Sequence, residues 1–286
     1  MNVYKYHPRR FGAFQYVYPV ISRRSGGLSL GVNLSPAGLC NFACVYCQVL
    51  AEENGKDKEA GKGGTAPQSF LEHVEDELRQ LIGSYKDASL FRNTWLESVP
   101  TEKRELRDIA FSGDGEPTLF PQFNEAVKRV VAVRNEMCRT DVKIVLITNA
   151  STLHSESVRN ALTEIVLSNG EIWAKLDAGT AEYFQKVSQS SVPFEKILTN
   201  LQTFSQSQPL IIQTCFFNLR GKMPDENELK AYTQQLQKLR NVRCVQLYTV
   251  ARDVPEPWVE PLEPQQLDNI ADDIQRLAGM EVKRYY

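Results

Sequence analysis

The sequence predicts an α/β fold, a partial (β/α)6 barrel in which outer helices cover a parallel sheet. Three observations predict it. Six short segments rich in β-branched and aromatic residues recur along the 286 residues, stretches with helical spacing separate them, and the strand segments are largely apolar. Because six strand and helix units are too few to close an eight-stranded barrel, we expect an open one.

The predicted elements follow one another in a regular order. Two stretches, PQFNEAVKRVVAVRNEM and SESVRNALTEIVL, repeat apolar residues at helical spacing, and PQQLDNIADDIQRLAG predicts a last helix. The predicted strands are LSLGVNL (28–34), RDIAFSG (107–113), VKIVLIT (142–148), EIWAKLD (171–177), PLIIQTCFF (209–217) and VRCVQLYTV (242–250).

Composition divides the chain into a core and two flanking parts. Residues 1–27 are predicted to form a basic, aromatic N-terminal extension, 28–250 the (β/α)6 core, and 251–286 a C-terminal extension. Within the last, RDVPEPWVEPLEP is too rich in proline for a helix or a central strand. Residues 51–68, AEENGKDKEAGKGGTAPQ, lack apolar periodicity and are predicted to be a mobile loop.

Bulk properties narrow the class of protein. No apolar run approaches the roughly 20 residues that span a bilayer, and the N-terminus has no apolar signal core, so we expect a cytoplasmic protein without a membrane partner. The net charge of −2 gives no general field for nucleic acid. A local patch exists in the N-terminal extension, where five cations alternate with aromatic rings, and it predicts either RNA binding or packing on the domain.

Three of the six cysteines, Cys40, Cys44 and Cys47, lie inside the segment LCNFACVYCQ and span eight positions. Three is an odd number for disulfides, and a structural zinc site usually closes with four protein ligands. An iron and sulfur cube bound by three cysteines keeps one iron open for a substrate or cofactor. The cysteines follow the first predicted strand, which puts them at the C-terminal mouth of the barrel, where such folds carry their sites.

The spacing CxxxCxxC, with Tyr46 before the third cysteine, resembles the radical S-adenosylmethionine (SAM) superfamily. FSGDGEPTL (111–119) is similar to its second-strand glycine and glutamate motif, and LITNAS to its third-strand Thr-Asn segment. YPVISRRSGGLSLGVNL and VQLYTVAR resemble the subgroup of bacterial Fe-S oxidoreductases similar to wyosine-type tRNA-modifying enzymes. The matches run from about Tyr18 to Arg252, and the fold that they imply is the radical SAM barrel.

The resemblance implies two cofactors, a [4Fe-4S] cluster held by the three cysteines and SAM. The SAM amine would be bound by backbone acceptors in the second-strand motif, where Asp114 replaces the glycine of many members. Lys175 and Asp177, two residues apart on one face of a strand, would meet the SAM carboxylate and ribose, or else form a mutual ion pair in solvent. The implied SAM contacts are Tyr46, Gly113, Asp114, Gly115, Glu116, Asn149, Lys175 and Asp177; for Asn149 a simple turn role is the alternative.

The other candidate residues have a weaker signal. Gln213, Thr214, Tyr248 and Arg252 could meet the adenine or the substrate; for Tyr248 a position in the core is the alternative. Cys138, Cys215 and Cys244 form no spaced motif, and we expect the two in apolar strands to be small buried hydrophobes. Wyosine-forming relatives carry additional N-terminal cysteines for another cluster, whereas this chain has no cysteine before Cys40, which argues against that function.

The expected function follows from these features. The cluster would donate one electron to SAM, giving methionine and a 5′-deoxyadenosyl radical that removes hydrogen from a substrate, either tRNA or a small molecule or protein. An electron donor such as flavodoxin or ferredoxin would be a partner. The rival interpretation is a non-catalytic protein that holds zinc or an inert cluster.

Overall fold

The computed structural model describes Tyr4 and residues 8–35, 38–47, 69–138, 140–252 and 254–286. The predicted mobile loop 51–68 lies outside these residues, and the predicted boundaries after residues 27 and 250 stay predictions. Two compact units make up the chain: the first has residues 1–39, 57–147 and 156–171, the second 40–56, 148–155 and 172–286. No helix in the described ranges is long and apolar enough to cross a membrane.

Strands and helices alternate along the chain, and all six predicted strands and three predicted helices are present. The strand-helix repeat of the predicted (β/α)6 order is therefore confirmed at the level of element order. The elements are β1 (Val17–Ser22), β2 (Gly27–Val32), α1 (Ser69–Lys86), β3 (Leu106–Phe111), α2 (Phe123–Met137), β4 (Lys143–Thr148), α3 (Glu156–Leu167), β5 (Glu171–Lys175), α4 (Ala181–Ser188), α5 (Phe194–Ser207), β6 (Leu210–Cys215), β7 (Phe217–Leu219), α6 (Glu226–Gln237), β8 (Val242–Tyr248), β9 (Val259–Pro261), α7 (Pro264–Ala278) and β10 (Val282–Tyr285).

In the first unit the strands lie in the order β1, β2, β3, β4. β1 pairs antiparallel with β2, Val17 opposite Val32, while β2, β3 and β4 are parallel neighbours. Helix α1 covers the sheet with one apolar face, and Leu78 on that face is fully buried. The apolar residues of α1 recur at helical spacing, so that one face of the helix is buried, as is typical of an amphipathic helix.

A carboxylate fixes the point where the chain enters β1. Three consecutive backbone N–H groups donate to the side chain of Glu77 on α1: Gln15 at 2.9 Å, Tyr16 at 2.7 Å and Val17 at 2.9 Å. A single carboxylate with four lone-pair sites can accept all three. Glu77 thus ties the N-terminal segment to the first unit.

In the second unit β5, β6, β8 and β10 form a parallel series, in which Gln213 of β6 lies opposite both Lys175 and Gln246. β7 and β9 form a separate antiparallel pair, so part of the proline-rich segment RDVPEPWVEPLEP is a short strand. Apolar residues of the two kinds of sheet meet in one cluster that includes Val45, Cys215 and Val259. Val45 of this cluster, and Tyr46 packed against it, lie between two of the cysteines that the sequence singles out.

Candidate cofactor site

Residues 40–47, called the cysteine loop below, carry Cys40, Cys44 and Cys47 in the second unit. None of the three thiols is in a disulfide; Cys40 is exposed and the other two are partly buried. The Cys47 N–H donates to the Cys44 carbonyl at 2.8 Å, which closes a turn over the CxxC half of the motif. The spacing of these cysteines therefore corresponds to one tight loop.

Backbone hydrogen bonds fix the cysteine loop on the C-terminal end of α4. The Ala43 N–H donates to the Ser188 carbonyl at 2.9 Å, and the Val45 N–H to the Val187 carbonyl at 3.0 Å. Val45 is buried against the apolar cluster of the second unit, which adds a hydrophobic anchor. The protein's own contacts thus define the path of the loop.

Asn149 lies beside the start of the loop. Its amide nitrogen donates to the Asn41 side-chain oxygen at 2.8 Å and lies 4.0 Å from the Cys40 sulfur. Asn41 in turn donates to the Ser151 hydroxyl at 2.9 Å. The Thr-Asn segment after β4 therefore supports the cysteine loop, and the predicted contact of Asn149 with SAM stays a prediction.

Four side chains, one of them from the cysteine loop, form a continuous polar network. The Tyr46 hydroxyl donates to Asp177 at 2.5 Å, Asp177 lies 3.4 Å from the Lys175 ammonium, and Lys175 donates to the Tyr248 hydroxyl at 2.8 Å. The second carboxylate oxygen of Asp177 accepts from the Cys215 N–H at 2.7 Å. Lys175 is the last residue of β5 and Asp177 lies two residues beyond its end, with the two side chains next to each other.

The Lys175 ammonium also lies over two aromatic rings. It is 4.9 Å from the centroid of the Tyr46 ring and 5.4 Å from that of Tyr248, distances at which a cation is attracted to a ring face. The side chains of Lys175 and Asp177 are only 18% and 10% exposed. Lys175 and Asp177 therefore form the mutual ion pair given as the alternative, but the pair is mostly buried and does not face solvent.

Burial and charge set the protonation of this region. Burial raises the pKa of Cys44, Lys175 opposes the rise, and Asp177, Cys47 and Cys40 add to it. Burial alone would lower the pKa of Lys175, but Asp177 and then Tyr248 outweigh it, so the net shift is upward. The lysine is thus held as an ammonium that offsets part of the effect of burial on Cys44, whose net pKa shift is upward.

Residues 113–116 form a second predicted site segment, the glycine turn, in the first unit. Gly113 has φ of +148°, a conformation that favours glycine, and a Cβ there would meet the Asn33 side chain at 2.6 Å. A Cβ on Gly115 would overlap the Leu39 carbonyl oxygen, the atom that accepts from the Glu116 N–H at 2.9 Å. The chain therefore needs glycine at both positions.

Asp114 and Glu116 are held within the first unit itself. Asp114 accepts from Arg9 at 2.6 Å and from the Asn33 side chain at 2.7 Å. Glu116 is buried, and its carboxylate accepts from the Thr118 hydroxyl at 2.6 Å. The sequence did not predict Arg9 at this turn. The signal that could have found it is Asp114, an acid in place of a glycine, together with an N-terminal extension whose charged residues are all basic.

Several known proteins are similar to this chain in sequence. No family model matches the chain. It is 25% identical over 268 residues to a Brachyspira hyodysenteriae protein named GTPase Obg, covering 92% of this chain and 34% of that protein. It is 28% identical over 238 residues to a UPF0026 protein of Helicobacter pylori, covering 82% of this chain and 65% of that protein. The chain spans less than two thirds of either relative.

Solved structures decide the fold. A radical SAM methyltransferase from Sphaerobacter thermophilus matches with a TM-score of 0.62 at 13% identity, covering 94% of this chain and 69% of that one. The chain has the radical SAM fold. A structure of TYW1 with a lysine-pyruvate adduct bound matches with a TM-score of 0.55 at 16% identity, covering 88% of this chain and 74% of that one. The predicted partial (β/α)6 radical SAM barrel is confirmed.

The radical SAM fold implies a [4Fe-4S] cluster and SAM, and the residues present can be compared with that need. Three thiols without a disulfide are the donor chemistry that a thiolate-ligated cluster takes, and Lys175 supplies a balancing charge. In the part of the chain that the structure describes, no three His, Cys, Asp or Glu side chains are arranged to hold a metal ion. The donor set fits the cluster, and its ligand role stays a prediction.

The remaining candidates within the radical SAM fold are mostly engaged by the protein. The Gln213 amide donates to the Gln246 side-chain oxygen at 2.8 Å, and the Thr214 hydroxyl donates to the Leu176 carbonyl at 3.0 Å. Cys215 and Cys244 are buried, as expected of small hydrophobes. Tyr248 is the residue that sequence reasoning undervalued, because nothing in VQLYTVAR indicates that its hydroxyl meets Lys175.

Proposed function

We propose that the chain is a radical SAM enzyme that abstracts hydrogen from its substrate. Cys40, Cys44 and Cys47 would hold a [4Fe-4S] cluster with one iron free of protein ligands. When both are bound, the reduced cluster would supply one electron to SAM, whose carbon-sulfur bond would break to give methionine and a 5′-deoxyadenosyl radical. The observation that carries the proposal is the CxxxCxxC loop in a chain with the radical SAM fold.

The protein's own groups prepare the site for this chemistry. Lys175 places a positive charge that opposes the rise in the Cys44 pKa caused by burial, and so offsets part of the cost of forming the thiolate that binds iron. The glycine turn would supply backbone carbonyl oxygens as acceptors for the SAM amine, and the close contacts of Asn33 and Leu39 fix its path. Asn149 offers a side-chain amide beside Cys40. These residues bind and orient, and none needs to form a covalent bond.

Anaerobic reconstitution with iron and sulfide tests the proposal. We expect about four irons per chain, as the cube requires, and an absorption spectrum that changes when SAM is added. Under a strong reductant the protein should yield 5′-deoxyadenosine. Colourless protein that holds one zinc, or a cluster whose spectrum ignores SAM, would support the non-catalytic interpretation instead.

A cysteine pair gives the matched control for that experiment. Cys44→Ser replaces a proposed cluster ligand with a much weaker one, so iron content and 5′-deoxyadenosine should both fall by at least tenfold. Cys138→Ser changes a partly buried cysteine in the first unit and should leave both at the level of the unsubstituted protein. Equal iron content in the two variants would exclude Cys44 as a ligand.

The substrate and partners belong to the same proposal. The motif resemblance to wyosine-type enzymes and the basic N-terminal extension support tRNA; the net charge of −2 and the lack of a second cysteine motif support a small molecule or protein. A filter-binding titration of tRNA against salt separates them, since phosphate contacts make affinity fall with salt. Absence of binding, or binding unaffected by deletion of residues 1–15, would exclude the RNA version.

The electron would come from a carrier such as flavodoxin or ferredoxin, and the reaction would take place in the cytoplasm. Replacing the chemical reductant with reduced flavodoxin in the reconstituted assay tests the donor. We expect 5′-deoxyadenosine to form without dithionite. If neither reduced flavodoxin nor reduced ferredoxin supports its formation, the proposed electron donor is wrong.

A further inference from the structure

Lys175 and Asp177 connect the cysteine loop to neighbouring parts of the second unit. Asp177 accepts from the Tyr46 hydroxyl and the Cys215 N–H and pairs with Lys175. Lys175 donates to Tyr248 and lies over two rings. Tyr46 is the only member of this network that belongs to the cysteine loop among the contacts described here.

We propose that Tyr46, Asp177, Lys175 and Tyr248 form a clasp that holds the cysteine loop in its folded position before any cluster binds. Lys175 and Asp177 are then positioning residues, acting on the cluster site through Tyr46. The purpose of the clasp rests on the proposed function, but its existence does not.

The geometry explains why the clasp would act on the loop as a whole. Tyr46 lies between Cys44 and Cys47, so its hydroxyl bond to Asp177 fixes the CxxC half of the motif. On the other side, Ala43 and Val45 are bonded to the end of α4. Releasing Tyr46 leaves the loop held by these two backbone bonds, by the hydrogen bonds of Asn41 and by the packing of Val45. The amide protons of Ala43 and Val45 then report any loosening.

A second tyrosine provides an unusually close control. Tyr183 packs against the same apolar cluster as Tyr46, and its hydroxyl is buried without a hydrogen-bond partner in the described part of the chain. Tyr183→Phe therefore removes a phenol oxygen without breaking a hydrogen bond. Tyr46→Phe removes the same atom and breaks the bond to Asp177.

Hydrogen exchange of the full-length, metal-free protein tests the clasp. Peptides that cover Ala43 to Cys47 should exchange about tenfold faster in Tyr46→Phe, since a bond to a charged acceptor is lost, and at the original rate in Tyr183→Phe. Peptides of β3 serve as an internal reference and should not change in either variant. Equal loop exchange in Tyr46→Phe and the unsubstituted protein would overturn the proposal.

A second variant keeps the test decisive if Tyr46→Phe does not fold. Tyr248→Phe keeps the ring beside Lys175 and removes only the acceptor, so the loop peptides should exchange about threefold faster. Lys175 acting only as a SAM ligand would leave exchange of the metal-free loop unchanged in this variant.

Reconstitution then separates this inference from the proposed function. If the unsubstituted protein takes up no iron, the proposed function fails whatever the exchange data are. If it takes up iron and Tyr46→Phe gives the same electron paramagnetic resonance signal and the same loop exchange, the clasp fails and the function stands.

Discussion

The cysteine loop and the glycine turn are stabilised in opposite ways. Besides its backbone bonds to α4, the loop depends on side chains: a phenol, a carboxylate and an ammonium join it to the end of β5 and to β8. The turn depends on the absence of side chains, because Gly113 and Gly115 leave room for Asn33 and for the Leu39 carbonyl. The loop should therefore be sensitive to removal of polar atoms, and the turn to addition of a single carbon.

Charge is used in both regions, with the signs exchanged. In the cysteine loop network a lysine is the central charge and Asp177 its partner. At the glycine turn an aspartate is central, and Arg9 and Asn33 are its donors. Each region thus has one mostly buried charge that is paired within its own unit, as the cost of burying an isolated ion requires.

The largest effect is expected from Lys175→Met. Removing the ammonium leaves the Asp177 carboxylate mostly buried without its cation, which should lower the free energy of unfolding by about 3 kcal/mol. Urea denaturation of the metal-free protein measures it. Lys186→Met is the control, since Lys186 pairs with Glu182 on the surface at 58% and 81% exposure and should change nothing measurable. Equal effects in the two variants would show that the burial of the pair does not matter.

Gly115→Ala should come next, at about 2 kcal/mol, because the new methyl group meets a backbone oxygen that cannot move without breaking the Glu116 bond. Thermal denaturation measures the loss. Gly83→Ala is the matched control. Gly83 is in α1, a Cβ added there would meet no neighbouring atom, and alanine should stabilise the protein by about 0.5–1 kcal/mol. A neutral Gly115→Ala would remove the contrast between the two regions.

Arg9→Met should cost about 1 kcal/mol, since Asp114 keeps its bond from Asn33. The expected local result is faster hydrogen exchange in residues 8–14, while the amides bonded to Glu77 stay protected. Arg10→Met, at the exposed neighbouring position, should have no effect. Unchanged exchange in Arg9→Met would mean that the ion pair does not hold the segment.

The smallest effect concerns the helix that supports the loop, and it depends on pH. Burial raises the pKa of Glu228, which accepts from the Gly179 N–H and from the Thr180 hydroxyl at 2.6 Å at the start of α4; those two bonds oppose the rise. Since the folded pKa lies above the ordinary value of 4.5, unfolding releases a proton as pH rises from that value to the folded pKa, and stability falls in that window.

Glu228→Gln tests this by removing the titration. Melting temperatures of both proteins from pH 4 to pH 8 should show the variant gaining relative to the unsubstituted protein as pH rises through that window, with a constant difference above it. A difference that does not depend on pH would contradict the upward shift.

The elements predicted from sequence were those whose pattern is locally complete. VKIVLIT and the helix in SESVRNALTEIVL carry their own periodicity, and they correspond to β4 and α3. β1 was not predicted, because VYPVIS contains a proline and lies among cations, and its place is set by pairing with β2. β7 and β9, of three residues each, are too short for any pattern.

The candidate site divides in the same way. Cys40, Cys44, Cys47 and the glycines could be named from sequence, because spacing and backbone need are local properties. The contacts of Arg9 with Asp114 and of Tyr248 with Lys175 join residues 105 and 73 positions apart. Such pairs depend on how strands and turns come together, and no local pattern reports that.

The three thiols differ in how far a reagent must penetrate to reach them. Cys40 is open to solvent, whereas Cys44 and Cys47 are partly covered. An alkylating probe added to the metal-free protein would label Cys40 first, and the delay before peptides show label on Cys44 or Cys47 would time the opening of the inner half of the loop. One mass-spectrometric time course would thus follow a breathing motion that equilibrium measurements average away.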